Sequence, residues 1–316
     1  MPLLSRAGRM TRDALGATEF EASSLLGERE RTRTERESAS FRPGLFEGCA
    51  NPDCRSGWLH LWRSRSVPVF EAGWTCSSTC TAARMVAAVR RELNGRVGLH
   101  ESHRHRIPLG LLMLEQGWIT QAQLRRAVEA QKTAGTGRLG QWLMQQKATN
   151  ESMVTRALGL QWSCPVLPLE FHDAAGLSAL MPRLFVDAYG ALPLRLGAGK
   201  VLYLGFNGSL DPVLALAIER MSELRVESGI VQESLFQPAH ARMLNAKFPS
   251  VELVEAVSEA AAAHALARSV ERARPSASRL VRVHECLWLR MWLRRENSTL
   301  PELDSVLDVV CSIGAL

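Results

Sequence analysis

Lysine is nearly missing from this chain. Of 38 basic residues only Lys132, Lys147, Lys200 and Lys247 are lysines, and the rest are arginines spread along the length. The net charge of +6 over 316 residues therefore lacks the clustered cationic stripe of a nucleic-acid binder, and nucleic acid is not an expected partner. No apolar run reaches the roughly 18 residues that a membrane-crossing helix needs, so no transmembrane segment is expected. Met1 to Gly16 has neither the apolar core nor the small-residue cleavage site of a secretory leader. The expectation is a cytoplasmic protein, a setting in which structural disulfides are rare. A G-x-x-x-x-G-K-[ST] phosphate loop is absent. Gly135 to Gly140 does spell G-x-G-x-x-G, but it follows a helical segment and not a strand, which fails the context of a dinucleotide fingerprint. His172-Asp173 has no serine or cysteine nucleophile arranged around it. No catalytic residue is assigned, and the chain is expected not to be an enzyme.

The 46% apolar content is enough for a packed core in part of the chain, and the length allows two or three small domains. Residues 1–44 are rich in Arg, Glu, Ser and Thr and read as a disordered tail. Residues 45–95 hold two cysteine pairs, Cys49-x4-Cys54 and Cys76-x3-Cys80, among Phe46, Trp58, Trp62, Phe70 and Trp74. Two close pairs about 20 residues apart have the spacing of a structural zinc site with four thiolate ligands, which leaves no open position for catalysis. Two disulfides or four buried thiols are the other readings of the same spacing. Gly57–Trp62 and Pro68–Trp74 can form a hairpin, and Ser77 can cap a helix from Ser78 to Leu93 that carries Cys80 in its first turn. So small a unit, ~45 residues, cannot bury enough core alone, and metal–sulfur bonds would supply the missing folding energy. This order of elements resembles a treble-clef finger, and Cys76-Ser77-Ser78-Thr79-Cys80 resembles the edge of FCS-like bacterial fingers. His60, His100, His103 and His105 could replace a ligand, but read as strand or linker histidines; Cys164, Cys286 and Cys311 read as buried thiols.

The centre of the chain repeats itself. Pro108–Gln131 and Arg138–Gln161 each open on Leu-Gly, at Leu109-Gly110 and Leu139-Gly140, and each close on Gln. Apolar residues fall at helical spacing, Gly117 stops the first run, and Thr120 caps the next, so each unit reads as helix–turn–helix. Ala191–Leu196 and Lys200–Phe206 flank Gly197-Ala198-Gly199 as a hairpin; Asp211-Pro212 starts a helix; Arg225–Gln232 reads as a strand and Pro238–Phe248 as a helix. This half is β-β-α-β-α. Residues 251–316 read as a helical C-terminal region, in which Arg279–Arg295 places Trp288 and Trp292 at i, i+4. That helix would either clamp on the body of the protein or engage a partner or membrane surface through its arginines. The fold class is thus α+β and multidomain: a zinc finger, tandem helix–turn–helix units, a β-β-α-β-α half and a helical tail.

Leu109-Gly110, Gly117-Trp118-Ile119-Thr120, Leu124 and Gln131, followed by Arg138-Leu139-Gly140, Leu143 and Gln161, carry a family resemblance. Residues 106–248 resemble the N-terminal, MshEN-type domain of type II secretion and type IV pilus assembly ATPases, and Ala191-Leu192-Pro193-Leu194 and Asp211-Pro212 fit the same pattern. The ATPase half of that family is not matched. The resemblance implies one of two uses: docking to a protein partner such as a secretion or pilus platform component, or binding of cyclic di-GMP across the two motifs. The ligand residues it implies are Leu109, Gly110, Leu112, Arg138, Leu139, Gly140 and Leu143. Three positions depart from the pattern: Pro108 stands for the first Arg, Lys147 for the second Gly, and Thr149 for the second Ile. The primary expectation is a regulatory or adaptor protein, with a cyclic di-GMP sensor as the alternative and a zinc-dependent nucleic-acid protein as a weaker one.

Overall fold

The computed structural model describes residues 48–55, 67–71, 73–95, 106–169, 173–294 and 300–314. The expected N-terminal tail, the first hairpin strand at Gly57–Trp62, His172, and the linker with its histidines lie outside the described residues. Among the described residues no helix is long and apolar enough to cross a membrane.

After the first cysteine pair come a short hairpin, β1 (Val69–Phe70) and β2 (Gly73–Trp74), and a long helix, α1 (Ser78–Asn94). The Ser77 side chain accepts from the Cys80 backbone N–H and so caps α1 as its sequence predicts. Four helices follow: α2 (Leu109–Glu115), α3 (Gln121–Ala134), α4 (Leu139–Gln145) and α5 (Glu151–Trp162). They are the two expected helix–turn–helix units. Thr120 and Gln123 form a capping box on α3, and Asn150 takes the matching position on α5, accepting from Met153 N–H. Gly117, at φ 69°, turns the chain in the first unit, and Lys147 occupies the corresponding left-handed position at φ 53°. The second turn thus keeps the shape of the first at a steric cost that glycine avoids.

The next segment contains α6 (Ala174–Leu177), α7 (Arg183–Tyr189), β3 (Ala191–Gly197), β4 (Val201–Phe206), α8 (Pro212–Ser222), β5 (Arg225–Ile230) and α9 (Glu233–Leu244). The three strands form a sheet in the order β3-β4-β5, antiparallel then parallel. The β-β-α-β-α order matches the sequence expectation. The last helix does not start at Pro238 but at Glu233, with Pro238 in its interior. Proline favours a helix's first turn, so Pro238 reads as a start; here it lies in the second turn and leaves one backbone hydrogen bond of the helix unmade.

The helical tail expected from 251 onward is overturned. Residues 250–313 fold as β6 (Ser250–Ala256), α10 (Glu259–Ala273), β7 (Ala277–Val283), β8 (Cys286–Trp292) and β9 (Val306–Ile313), a four-stranded sheet in the order β6-β9-β8-β7. Trp288 and Trp292 therefore lie on a strand, where i, i+4 spacing also returns to the same face. Both faces of β7, β8 and β9 are covered, whereas the edge strand β6 is largely open to solvent. Leu280, Leu287, Leu289, Met291, Val309 and Cys311 pack under α10 and α1. The alternate residues Val281, Val283, Trp288 and Val310 join the core of the β3-β4-β5 sheet. A strand buried on two faces carries a nearly continuous apolar run, which periodicity alone cannot tell from a buried helix. The β7–β8 turn is only His284-Glu285, with His284 at φ 50° and no glycine to announce it.

The cysteine-bearing segment does not stand apart from this sheet. Phe70, Met85, Ala88 and Val89 share one core with α10 and β7–β9. Val69 N–H donates to Pro275 O and Glu71 N–H to Ser278 O, so β1 runs along the β7 edge. Glu92 is buried at the end of α1, where Arg220 on α8 holds it with two hydrogen bonds of 2.8 and 2.7 Å. Burial alone would raise its carboxyl, but Arg220 and Arg91 overturn that and hold it below the ordinary carboxylate range. A depressed carboxyl stabilises fully above its unfolded value and loses that contribution as pH falls through its folded one. Acid titration of Glu92→Gln should therefore show a weaker loss of stability below about pH 4.5 than the parent chain shows; identical acid limbs would remove Glu92 as the latch.

Candidate functional site

Two sites emerge, one built by the cysteines and one by the tandem units. Cys49, Cys54, Cys76 and Cys80 bring all four Sγ atoms within 4.8 Å of one another, with Cys54–Cys76 at 3.5 Å and Cys76–Cys80 at 3.6 Å. Tetrahedral thiolates about 2.3 Å from a zinc ion would lie ~3.8 Å apart, so the residues fit such a metal. A disulfide needs sulfurs at about 2 Å, well short of the Cys54–Cys76 and Cys76–Cys80 separations. Two N–H groups face the sulfurs, while burial resists their ionisation. Cys76 N–H points at Cys49 Sγ and Asn51 Nδ2 at Cys80 Sγ, each at 3.4 Å. Burial, followed by the crowding of Cys54, Cys80 and Cys49, pushes the Cys76 thiol up to about 12. That cluster tolerates neutral thiols only until a cation compensates the charge, after which the thiols ionise. The remaining thiols follow the sequence reading in part: Cys311 is buried, whereas Cys164 and Cys286 are half-buried.

The tandem units build their site by exchange. Gln131, which closes the first unit, donates to the carbonyl of Gly137 that precedes Arg138. Gln161, which closes the second, donates to the carbonyl of Ile107 that precedes Pro108. Each unit thus holds the opening residues of the other. The glycines are closely packed in both units. A Cβ on Gly110 would meet Leu124 and Leu139 at 2.5 and 2.9 Å; one on Gly140 would meet Val154 at 2.8 Å and Leu109 at 3.8 Å. Glycine follows leucine in both units because the unit's own second helix, through Leu124 or Val154, comes too close for a Cβ; the other unit's leucine adds a tight contact at Gly110 and an ordinary one at Gly140.

Beside these contacts lies a cavity of about 290 Å³. Arg138, Leu139, Gly140 and Gln141 form one wall, with Leu109 reaching in from the first unit. Glu151, Thr155 and Leu158 of α5 form a second. Asn207, Gly208 and Ser209 after β4, and Val231 and Glu233 after β5, close it. The Arg138 guanidinium reaches across to Gly208, where a Cβ would sit 2.9 Å from Nη1. Glu151 Oε1 accepts from Ser234 N–H at 2.7 Å and ties α5 to the start of α9.

Of the seven residues expected to meet a ligand, the structure brings Leu109, Arg138, Leu139 and Gly140 to this cavity. Gly110, Leu112 and Leu143 are instead buried among the four helices. Sequence reasoning missed the opposite wall altogether. Asn207–Ser209 and Val231–Glu233 sit at the ends of adjacent strands, where α/β sheets place binding loops, but only the fold aligns those ends with α4.

No family model matches the chain. Over 148 residues, 46% of its length, it is 28% identical to the type IV pilus assembly ATPase PilB of Myxococcus xanthus strain DK1622. It spans 25% of that relative's length. Among solved structures, MshE with cyclic di-GMP aligns with 44% of this chain and 99% of its own at 27% identity, with a TM-score of 0.36. The N-terminal domain of XpsE aligns with 42% of this chain and 92% of its own at 14% identity, with a TM-score of 0.29. The relatives are N-terminal domains of pilus and secretion ATPases. The likeness covers part of the chain only.

Proposed function

We propose that this chain is a non-enzymatic, cytoplasmic adaptor that docks to pilus- or secretion-type machinery, with its cysteine cluster holding one structural zinc. The observation that carries the docking reading is the asymmetry of the tandem units. The exchange of Gln and Leu-Gly is intact on both sides, so the scaffold of a two-fold site persists. The polar equipment is not: Arg138 and Gln141 have Pro108 and Leu111 as their counterparts. A scaffold kept without its paired charged contacts serves packing and docking better than capture of a dianionic, two-fold ligand. The partial match to a pilus ATPase supplies the class of partner.

A second reading is favoured by the cavity itself. Arg138 can meet the O6/N7 edge of a guanine, and the neighbouring carboxylates of Glu151 and Glu233 can accept from its N–H donors. Titration calorimetry with cyclic di-GMP separates the two. If the half-site binds, Pro108→Arg should tighten affinity by about 1.5–3 kcal/mol and Arg138→Ala should abolish it. No heat from the parent chain or from Pro108→Arg leaves docking alone. For the metal, purified protein should carry about one zinc per chain; folded protein free of zinc would sink that assignment.

A further inference from the structure

The internal repeat allows each cavity residue to be compared with its counterpart thirty positions earlier, as Leu139 is with Leu109. Arg138, Gln141, Glu151 and Thr155 map onto Pro108, Leu111, Gln121 and Arg125. The second unit's wall is polar and carries a carboxylate. The first unit's has apolar Pro108 and Leu111 on the α2 side, has lost the carboxylate, and carries its cation on α3 at Arg125 instead. Its apolar residues are also uncovered: Ile107 and Leu111 are 52% and 53% exposed, with Pro108 exposed and Leu114 and Val128 half-buried beside them. Large aliphatic side chains left in water at a position where the repeat's other copy is polar form an interaction surface.

The charges around this face select the partner. The exposed cations of α3 are Arg125, Arg126 and Lys132, against a single carboxylate at Glu129. Arg106, beside Ile107, has its guanidinium over the Trp162 ring at 3.0 Å, which fixes a further cation at the rim. Glu115 is the acidic residue on the α2 side. An aliphatic stripe between two helices with a mostly cationic rim suits an amphipathic helix whose apolar edge is flanked by acidic residues.

We propose that the α2–α3 face of the first unit docks an acidic amphipathic helix of a partner protein, through Ile107, Leu111 and Arg125. The inference rests on the docking reading above and locates it. The probe is a fluorescently labelled synthetic helix with leucines on one face and glutamates elsewhere, next to a twin with lysines in place of glutamates. Anisotropy with the full chain should show saturable binding of the acidic helix and none of the basic twin. Leu111→Glu and Arg125→Glu should each weaken it by about tenfold or more. Leu253→Glu, the same change at an exposed leucine on β6, should leave it unaltered. Failure of the acidic helix to bind, equal binding of both twins, or indifference to Leu111→Glu overturns the proposal. So does concentration-dependent dimerisation that Leu111→Glu abolishes, which would assign the face to a second copy. If Leu111→Glu leaves co-purification of a native machinery component intact, docking stands and this location for it falls.

Discussion

Asp308→Ala should destabilise the chain by about 3–5 kcal/mol, one of the largest losses available from a single substitution. Asp308 is fully buried on β9, and Arg290 on β8 faces it with hydrogen bonds of 2.8 and 2.7 Å. Trp288 Nε1 donates to the same carboxylate at 2.8 Å, and Arg290 Nη1 reaches the carbonyl of Leu180 at 2.8 Å. Removing the carboxylate leaves a guanidinium and an indole N–H without their acceptor in a dry interior. The pair joins the C-terminal sheet to the segment before α7, so the loss should appear in one cooperative transition covering both. Denaturant melts followed by circular dichroism measure it. Replacing both partners, Arg290→Met with Asp308→Leu, should recover part of the loss, because no buried charge is stranded, while the Trp288 N–H and the Leu180 carbonyl still lose their partners. A single-mutant loss within experimental error would show that the pair is not buried as described.

Cys76→Ala should act well beyond the cysteine cluster. Thiolate–metal bonds stabilise small metal sites by roughly 10–16 kcal/mol in isolated fingers, and one missing ligand removes much of that. Because Met85, Ala88 and Val89 of α1 pack in the same core as Ala262, Leu266 and Val270 of α10, loosening the cluster should loosen α10 as well. Hydrogen exchange should accelerate along α1, α10 and β7. It should stay slow in α2–α5, whose apolar cluster of Leu112, Met113, Leu143 and Val154 is separate. Exchange confined to residues 45–95 would restore the cysteine segment as an independent domain.

Local chemistry was legible in the sequence, and tertiary coverage was not. Ser77, Thr120 and Asp211 all cap helices through their own side chains, and a cap is read from one residue and its near neighbours. Cysteine spacing and the repeat were equally local signals. The C-terminal sheet is hard to read because β7–β9 are covered on both faces, which erases the alternation that marks a half-exposed strand. The cavity was half visible: Arg138-Leu139-Gly140 lies within a motif, but the loops after β4 and β5 are drawn to it only by the sheet. Sharing of one core by α1 and α10, nearly two hundred positions apart in the chain, leaves no mark that a periodicity can show.

The exchange between the tandem units has the form of an isologous dimer interface carried on one polypeptide. Gln131 serves the second unit as Gln161 serves the first, and Leu109 and Leu139 cross at each other's glycines. In a two-fold dimer every change is made twice, and both halves must tolerate it. Fusion of the halves removes that constraint, so one copy can keep the geometry of the joint while the other alters its surface. Pro108 and Leu111 beside Arg138 and Gln141 are what such freedom looks like: two surfaces of opposite character on a joint that is still symmetric.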